Sequence, residues 1–332
     1  LAGAREDSVI GVVIPYFQRQ RGILERTLHS VTKQDTTVPV EIVVVDDGSP
    51  VPGEGEVENV SLPRNFSLRV IRQNNAGPGA ARNKGIEALK NVPYIAFLDS
   101  DDCWKPYHLS SAFTAFKHGF DCYTAEAEEE ETGFRYLSSF FKDGLPLASL
   151  DFAPWAHELT QPMINFSVIG PISTSSTLVV RNALIGETRF NTALRTAGED
   201  GLFRTMLAAK SPRTLVSSRV DTLLGKGVNI FSEGGWGDRA ATMRSICFLK
   251  SRLLMRPLVG TFPVAKERVE ASIEKARYDL CRCALANIRR GGFPLMDFLG
   301  ICANDPLAIL SVPKSLINAV IGTLRYQSCA KN

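Results

Sequence analysis

The chain has 332 residues, 44% of them hydrophobic, with 38 basic and 35 acidic side chains. This composition excludes a disordered tail, a coiled coil and a disulfide-built miniprotein, each of which needs a more biased sequence. The length favours two structural units, or one large α/β domain with additions. The charge is uneven, because residues 1–180 carry 15 basic and 23 acidic side chains whereas residues 181–332 carry 23 and 12. The acidic half suits a metal ion and is a poor nucleic-acid binder, and the basic half suits phosphates or an anionic membrane.

The cysteine pattern and the apolar runs indicate a reduced, cytoplasmic environment. Seven cysteines form an odd number without a framework spacing, which argues against a secreted, disulfide-built protein. Residues 1–11 lack the apolar core of a signal peptide. The longest late apolar run, Leu307–Leu324, is interrupted by Pro313 and is too short on either side to span a bilayer. We therefore expect a protein that touches a membrane without crossing it.

The N-terminal third alternates strand and helix patterns. Short apolar runs of the kind found in strands buried on both faces occur four times; they are Val9–Ile14, Glu41–Val45, Leu68–Ile71 and Tyr94–Leu98. Helical spacing follows the first run, and a helix is expected from about Ala80 to Leu89 after the third. This alternation predicts an α/β fold with a Rossmann-like, mostly parallel sheet, flanking helices and right-handed crossovers.

Acidic side chains follow the fourth predicted strand directly, at Asp99–Asp102. Three carboxylates within four residues repel one another unless a cation lies among them. Oxygen ligands of this kind suit Mg²⁺ or Mn²⁺ bound together with the phosphates of a substrate. The alternative is a turn with a helix cap, which accounts for one or two of the aspartates. Ligands bind beyond the carboxyl ends of parallel strands, so this segment is a candidate site.

Two more strand ends carry polar or glycine-rich segments. Asp46–Ser49 is an ordinary turn signal by itself, but its position beside the acidic cluster makes a carboxylate here a candidate acceptor for a base imide or a ribose hydroxyl. Asn75–Asn83 joins a strand to a helix and presents backbone N–H groups to an anion. It nearly matches a dinucleotide fingerprint, yet Arg82 replaces the third glycine and the segment follows the third strand. A nicotinamide-dependent oxidoreductase is therefore a weaker alternative.

From Phe120 onward the alternation of strand and helix patterns is less regular. Glu126 and the acidic run 128–131 predict a solvated loop, and residues 173–180 resemble another strand, with a helix starting near Gly198. Beyond about residue 239 the chain becomes helical. One apolar stripe follows helical spacing; it consists of Val269, Ile273, Ala276, Leu280 and Ala284.

Several of these segments occur together, and in the same order, in family 2 glycosyltransferases, which have the GT-A fold. The segments are Ile14-Pro15-Tyr16, Ser30-Val31 with Gln34, Val44–Ser49, Asn75–Gly85 and Phe97–Asp102. The chain resembles this family over about residues 9–210. Residues 13–24 are more loosely similar to bacterial exopolysaccharide glucosyltransferases of the succinoglycan side-chain type.

The resemblance implies a nucleotide-sugar donor, a divalent metal and inversion at the anomeric carbon. By position it assigns base and ribose contacts to Pro15, Tyr16 and Asp47, and a base or diphosphate contact to Arg82. It also implies that Asp99 holds the ribose and that Asp101 binds the metal, Mn²⁺ or Mg²⁺, and it leaves the role of Asp102 open.

The resemblance extends to the acceptor half, where residues 175–181, 189–191 and 198–200 match the family pattern. It implies that Asp200 is the base that deprotonates the acceptor. A carboxylate at a helix N-terminus stays ionised at neutral pH, as a base must. The alternative is that Glu199 and Asp200 only favour the helix dipole.

The expected organisation is a GT-A catalytic domain at 1–238, with a nucleotide-sugar half at about 9–120 and an acceptor half at about 121–238. A basic helical region at 239–332, with 15 basic and 6 acidic side chains, follows and can associate with an anionic membrane. The Gln-x-x-Arg-Trp signature of processive polymerases is absent from the sequence, which favours one sugar per event.

The expected donor is UDP-glucose. The expected acceptor is a glycan, such as an oligosaccharide on a polyprenyl diphosphate in exopolysaccharide biosynthesis, and nucleic acid is not an expected partner. We expect the protein in the cytoplasm, peripherally bound to the inner face of the cell membrane. A nucleotide-sugar-binding protein without catalytic activity is a further alternative, for which a missing aspartate is expected.

Overall fold

The protein is described by a computed structural model that covers residues 8–140, 144–168, 172–227, 237–290 and 293–308. The strands are β1 (Ile10–Tyr16), β2 (Val40–Asp46), β3 (Phe66–Arg72), β4 (Tyr94–Phe97), β5 (Cys103–Trp104), β6 (Cys122–Glu129), β7 (Leu147–Ser149), β8 (Ala156–Leu159), β9 (Val179–Arg181) and β10 (Thr214–Leu224). The helices are α1 (Ile23–Thr32), α2 (Gly53–Val57), α3 (Pro78–Ala88), α4 (His108–Lys117), α5 (Tyr136–Phe140), α6 (Asn182–Ile185), α7 (Glu199–Ala208), α8 (Arg239–Met255), α9 (Pro263–Arg290) and α10 (Leu295–Asn304). Short 3-10 turns lie at Met163–Asn165, Ser175–Thr177 and Arg256–Val259.

The strands of the described residues form one mixed sheet in the order β3-β2-β1-β4-β9-β6-β10-β8-β7, with β5 paired to β10. The first four strands of this order are mutually parallel, and β6 and β10 are also parallel. β9 runs antiparallel to both of its neighbours, β4 and β6. The expected α/β fold with a largely parallel sheet and flanking helices is confirmed.

The central strands are apolar on both faces because helices cover both sides of the sheet. Ile10, Val12 and Ile14 belong to one core with Leu24 and Leu28 of α1. The alternate residue of β1, Val13, faces α3, where it packs against Gly85 so closely that any side chain at that position would overlap it. This glycine therefore allows the helix to approach the sheet, which gives the last position of the Asn75–Gly85 segment a packing role.

Two expectations about the middle of the chain are wrong. Glu126 is not in a solvated loop, because it lies in β6, is buried, and accepts hydrogen bonds from the backbone N–H groups of Leu137 and Ser138 at the start of α5. The segment 173–180 is not one strand, because a capping box between Thr174 and Thr177 closes a 3-10 turn before β9 begins. Reciprocal side-chain capping favours a turn over the extended backbone that the residue types suggested.

Contacts divide the chain into two compact units. The first comprises Leu1–Arg195 and Phe203–Val228 and contains the sheet. The second comprises Thr196–Leu202 and Asn229–Asn332, so the unit boundary falls within α7. The domain boundary expected at residue 238 stays a prediction.

The second unit is helical, as expected, and α8 packs against α9. The apolar stripe of α9 from Val269 to Ala284 is buried, so it serves packing and is not available to a membrane. Arg277 on α9 forms two hydrogen bonds, of 2.6 and 2.7 Å, with Asp305 just after α10, and both side chains are buried. Among the described residues no helix is both long and apolar enough to cross a membrane. Most of the late apolar run Leu307–Leu324 lies outside the described residues.

Candidate active site

The acidic and glycine-rich strand ends meet at one edge of the sheet in the first unit. β1, β2, β3 and β4 are parallel, so the segments that follow them emerge on the same side. Side-chain hydrogen bonds connect these segments, as described below. The structure therefore brings the predicted segments together at one edge, and it shows what each residue contacts there.

The two aspartates that follow β2 have different tasks. Asp46 is fully buried, and its two carboxylate oxygens accept the N–H groups of Ser49 at 2.7 Å and Gly53 at 3.0 Å. It shapes the loop between β2 and α2. Asp47 faces the other way and accepts hydrogen bonds from Gln73 Nε2, Ala76 N and Gly77 N, each at 2.8 Å.

Asp47 thus fixes the glycine-rich segment that starts α3. A carboxylate can accept about four hydrogen bonds, and three are in place, which leaves room for one more donor. The predicted contact of Asp47 with a base or ribose stays a prediction. The structure also gives Asp47 a structural role. Its carboxylate holds the loop at the start of α3, which is the segment predicted to bind the phosphates.

Pro15 and Tyr16 are buried at the end of β1. The Tyr16 ring packs against Gly53, and burial raises the pKa of its hydroxyl to about 12. The Tyr16 carbonyl accepts the N–H of Asp47 at 2.9 Å. The structure does not bring either side chain to the surface of the edge, and their predicted nucleotide contacts stay predictions.

Arg82 and Asp99 form an ion pair of 2.6 Å between Nη2 and Oδ1. The arginine side chain is buried, and its guanidinium lies 5.3 Å from the centre of the Phe190 ring. The Asp99 side chain is 34% exposed, so it can still meet a ligand. Arg82 therefore orients Asp99 and offsets part of the charge of the acidic cluster. A contact between Arg82 and a base or diphosphate is not tested by this pair.

Asp101 and Asp102 are the aspartates of this edge whose pKa values are raised most. Burial and then the nearby charge of Asp99 raise the pKa of Asp101 to about 6. Asp102 is more deeply buried, and burial followed by the charges of Asp101 and Asp99 raises its pKa well above the ordinary value. Its two oxygens accept hydrogen bonds from Ser176 Oγ at 2.5 Å and from Gly225 N at 2.9 Å.

This donor set fits a divalent cation that binds together with a diphosphate. Within the described ranges, no three His, Cys, Asp or Glu side chains form a complete metal site. Mg²⁺ and similar ions bound with substrate phosphates need only one or two protein carboxylates. The pKa of Asp101 is raised because burial and the charge of Asp99 disfavour its ionised form, and a bound cation would offset that cost. The predicted role of Asp101 as the metal ligand stays a prediction.

Other segments shared with the family support the acidic strand end. On α1 and just beyond it, the Thr27 hydroxyl donates to the Ser100 carbonyl at 2.9 Å, and the Ser30 hydroxyl accepts the Trp104 N–H at 3.0 Å. Gln34 donates through Nε2 to the Lys105 carbonyl at 2.8 Å. These residues hold the backbone that follows β4, so this part of the family pattern has a structural role at the acidic strand end.

Asp200 lies in the first turn of α7, as expected, within the part of that helix that belongs to the second unit. Its side chain is half-buried, and Oδ1 accepts the N–H of Gly201 at 2.6 Å. Its role as a base stays a prediction.

Sequence reasoning missed Ser176 and Gly225, which together hold Asp102. Gly225 comes so close to the Asp101 carbonyl that a side chain would overlap it. The polar run 173–177 was visible in the sequence but was interpreted as part of a strand and of the family pattern, and the glycine that follows β10 carries no recognisable signal.

A largely parallel sheet with an acidic strand end and a glycine-rich helix start, followed by helices, is the arrangement of GT-A glycosyltransferases. The chain belongs to glycosyl transferase family 2, whose family model matches residues 11–176. It is 30% identical over 305 residues to the succinoglycan biosynthesis protein ExoW of Rhizobium meliloti (strain 1021), covering 87% of this chain and 91% of that protein. The predicted family, fold and enzyme class are confirmed, and these relatives give no support to the oxidoreductase alternative.

Solved structures agree on the fold. The S. aureus TarS 1-349 complex with UDP-GlcNAc superposes with a TM-score of 0.54 at 20% identity, covering 82% of this chain and 81% of that one. The mannosyltransferase PcManGT from Pyrobaculum calidifontis, in complex with GDP-Man and Mn²⁺, gives a TM-score of 0.53 at 16% identity, with coverages of 95% and 86%. At these identities the likeness supports the fold alone.

Proposed function

We propose that this glycosyltransferase moves one glucose from UDP-glucose, with inversion, onto a lipid-linked oligosaccharide during exopolysaccharide biosynthesis. The observation that carries the proposal is the placement of three aspartates at the strand end Asp99–Asp102, where Asp99 pairs with Arg82 and the pKa values of the buried Asp101 and Asp102 are raised, at the same sheet edge as a helix start suited to phosphates. The relative ExoW is named for succinoglycan biosynthesis, and TarS has been solved with UDP and with UDP-GlcNAc. These names support a UDP-sugar and a polysaccharide pathway.

The donor would lie across the strand ends. Asp47 has one acceptor position left for a base or ribose donor, and Asp99, oriented by Arg82, would accept a ribose hydroxyl. Asp101 would hold Mn²⁺ or Mg²⁺; when bound, such an ion offsets the charge that develops on the departing diphosphate. PcManGT, which was solved with Mn²⁺, supports the choice of ion.

Asp200 would act on the acceptor. Its carboxylate would take the proton of the acceptor hydroxyl, the oxygen would form a bond to the anomeric carbon, and the bond from that carbon to the diphosphate oxygen would break. Attack opposite the leaving group inverts the configuration. The position of Asp200 in the first turn of α7 supports this role, because a helix N-terminus favours the ionised carboxylate.

A donor panel tests the proposal. The full-length protein would be incubated with Mn²⁺, a bacterial lipid-linked oligosaccharide extract and one radiolabelled donor at a time: UDP-glucose, UDP-galactose, UDP-GlcNAc or GDP-mannose. We expect label in the lipid fraction from UDP-glucose, and an anomeric coupling constant in the product opposite in type to that of the donor. Transfer from GDP-mannose alone, or retention of configuration, would contradict the proposal.

We also propose that the second unit binds an anionic membrane surface, where a polyprenyl-linked acceptor is confined. α10 and the turn after it expose Leu295, Met296, Leu299 and Leu307, and Met296 is 79% exposed. Burying such a side chain contributes about 1.5–3 kcal/mol, and each basic residue near an anionic surface adds about 1 kcal/mol. The excess of 15 basic over 6 acidic side chains in residues 239–332 complements that surface.

Liposome flotation tests this surface. We expect the protein to float with phosphatidylglycerol vesicles at low salt and less at high salt, and Met296→Glu with Leu299→Glu to reduce flotation. Leu62→Glu is the matched control, since Leu62 is an exposed leucine in the first unit. Equal flotation of the α10 variant and the wild type would show that α10 is not the binding surface.

A further inference from the structure

We propose that Ser176 is the positioning residue of the acidic cluster, which fixes Asp99 and Asp102 on either side of Asp101, the proposed ligand of the cation. This inference rests on the proposed role of Asp101 as the metal ligand. It assigns to Asp102 the task of an anchor within the protein, and it makes a serine far away in the sequence a determinant of metal affinity.

The Ser176 hydroxyl joins the two ends of the four-residue turn. It donates to Asp102 Oδ2 at 2.5 Å and accepts the backbone N–H of Asp99 at 3.0 Å. The turn is closed from within by the Asp102 N–H, which donates to the Asp99 carbonyl at 3.1 Å. A serine hydroxyl has one donor and two acceptor positions, so a single side chain can make both contacts. The two ends of the turn are thus fixed, and Asp101 lies between them.

Ser176 is itself held rigidly. Its side chain is fully buried, and its carbonyl accepts hydrogen bonds from the Trp104 indole N–H at 2.6 Å and from the Thr222 hydroxyl at 3.2 Å. The Trp104 ring stacks on His108 with ring centres 4.6 Å apart. A hydroxyl fixed from several sides can define the position of the carboxylate that it binds.

Asp102 would compete with Asp101 if the serine were absent. Its carboxylate would keep the Gly225 N–H but lose the charge-assisted hydrogen bond of Ser176, and it is already buried beside two like charges. Without that donor the carboxylate can turn toward an available cation, and the turn from Asp99 to Asp102 loses the hydroxyl that joins its two ends. Either change alters the site in which Asp101 receives the metal, whereas the rest of the sheet keeps its contacts.

Three variants test the inference. Ser176→Ala removes the hydroxyl, and Ser176→Cys keeps a similar volume but donates and accepts only weakly. Ser175→Ala is the matched control, because Ser175 lies in the same 3-10 turn and its side chain has no hydrogen bond among the described residues. Thermal unfolding establishes that each variant is folded, and the cysteine variant serves if the alanine variant is not.

Mn²⁺ binding in the presence of UDP is measured from the electron paramagnetic resonance signal of free Mn²⁺. We expect both Ser176 variants to raise the Mn²⁺ dissociation constant by about 10–100-fold, the usual effect of removing a residue that orients a metal ligand. Ser175→Ala should match the wild type. In the transfer assay with UDP-glucose and the lipid-linked oligosaccharide extract, saturating Mn²⁺ should restore more of the lost rate than saturating UDP-glucose does.

A double-mutant cycle tests whether Ser176 affects Mn²⁺ binding through its hydrogen bond to Asp102. Asp102→Asn combined with Ser176→Ala should raise the dissociation constant by less than the product of the two single effects, since both act through one hydrogen bond. If the wild type binds Mn²⁺ and folded Ser176→Ala or Ser176→Cys binds it equally well, the inference is overturned and the proposed metal role stands. If the wild type shows no Mn²⁺ binding with UDP, both are overturned.

Discussion

Replacing Asp101 with asparagine should stabilise the metal-free protein while abolishing its turnover. The pKa of this carboxyl rises from 3.8 to about 6, chiefly through burial and then through the charge of Asp99. One pKa unit corresponds to about 1.4 kcal/mol, so at neutral pH the ionised Asp101 destabilises the fold by up to about 3 kcal/mol. Asparagine has nearly the same shape and carries no charge, so this cost disappears.

The pH dependence follows from the direction of the shift. A carboxyl with a raised pKa binds its proton more tightly in the folded state, so the wild type loses stability as the pH rises through about 4 to 6. Below this window Asp101 of the wild type is protonated, so neither protein carries a charge at position 101. The two proteins should then be equally stable. Above it the gain of Asp101→Asn should reach its full size and stay constant.

Urea unfolding with EDTA at pH 4, 6 and 7.5 measures this gain. Asp35→Asn is the control, because Asp35 is exposed and lies outside the acidic cluster. With Mn²⁺ and UDP the wild type should become more stable and Asp101→Asn should not respond. A variant less stable than the wild type at pH 7.5, or a gain equal at every pH, would refute the electrostatic reasoning. Full wild-type activity in excess EDTA would refute the proposed requirement for a metal ion.

Three further substitutions separate catalysis, loop geometry and packing. Asp200→Asn should lower kcat by about 10²–10⁴ while calorimetry shows unchanged UDP binding; a collapse of UDP affinity with turnover preserved per bound donor would make Asp200 a binding residue. Asp47→Asn removes the acceptor of a loop N–H and should reduce the urea unfolding free energy by about 1.5–3 kcal/mol and weaken UDP binding, whereas unchanged stability would argue against its hold on the loop. Asp305→Ala leaves the buried Arg277 unpaired and should cost about 3–5 kcal/mol in the same measurement. Glu270→Ala, which breaks an exposed pair, should cost under about 1 kcal/mol, and equal costs would contradict the burial reasoning.

The sequence alone determined the elements of the sheet edge and its class of chemistry. Continuous apolar runs are a local property that follows from burial on both faces, so β1, β2 and β4 are found within two residues of their predicted bounds. The acidic and glycine-rich tails come directly after these strands, and parallel pairing brings such tails to one edge. The prediction of a family 2 glycosyltransferase rested on the order of these local segments, and the family match confirms it.

Only the tertiary structure decided which side chain does what at that edge. Asp46 and Asp47 are adjacent and chemically identical, yet one shapes its own loop and the other holds the start of α3. Asp102 is bound by Ser176, 74 residues away along the chain, and no local pattern encodes such a partner. Hydrophobic periodicity is set by residues within a few positions of one another, whereas the partner of a buried polar group is set by which segments the fold brings together.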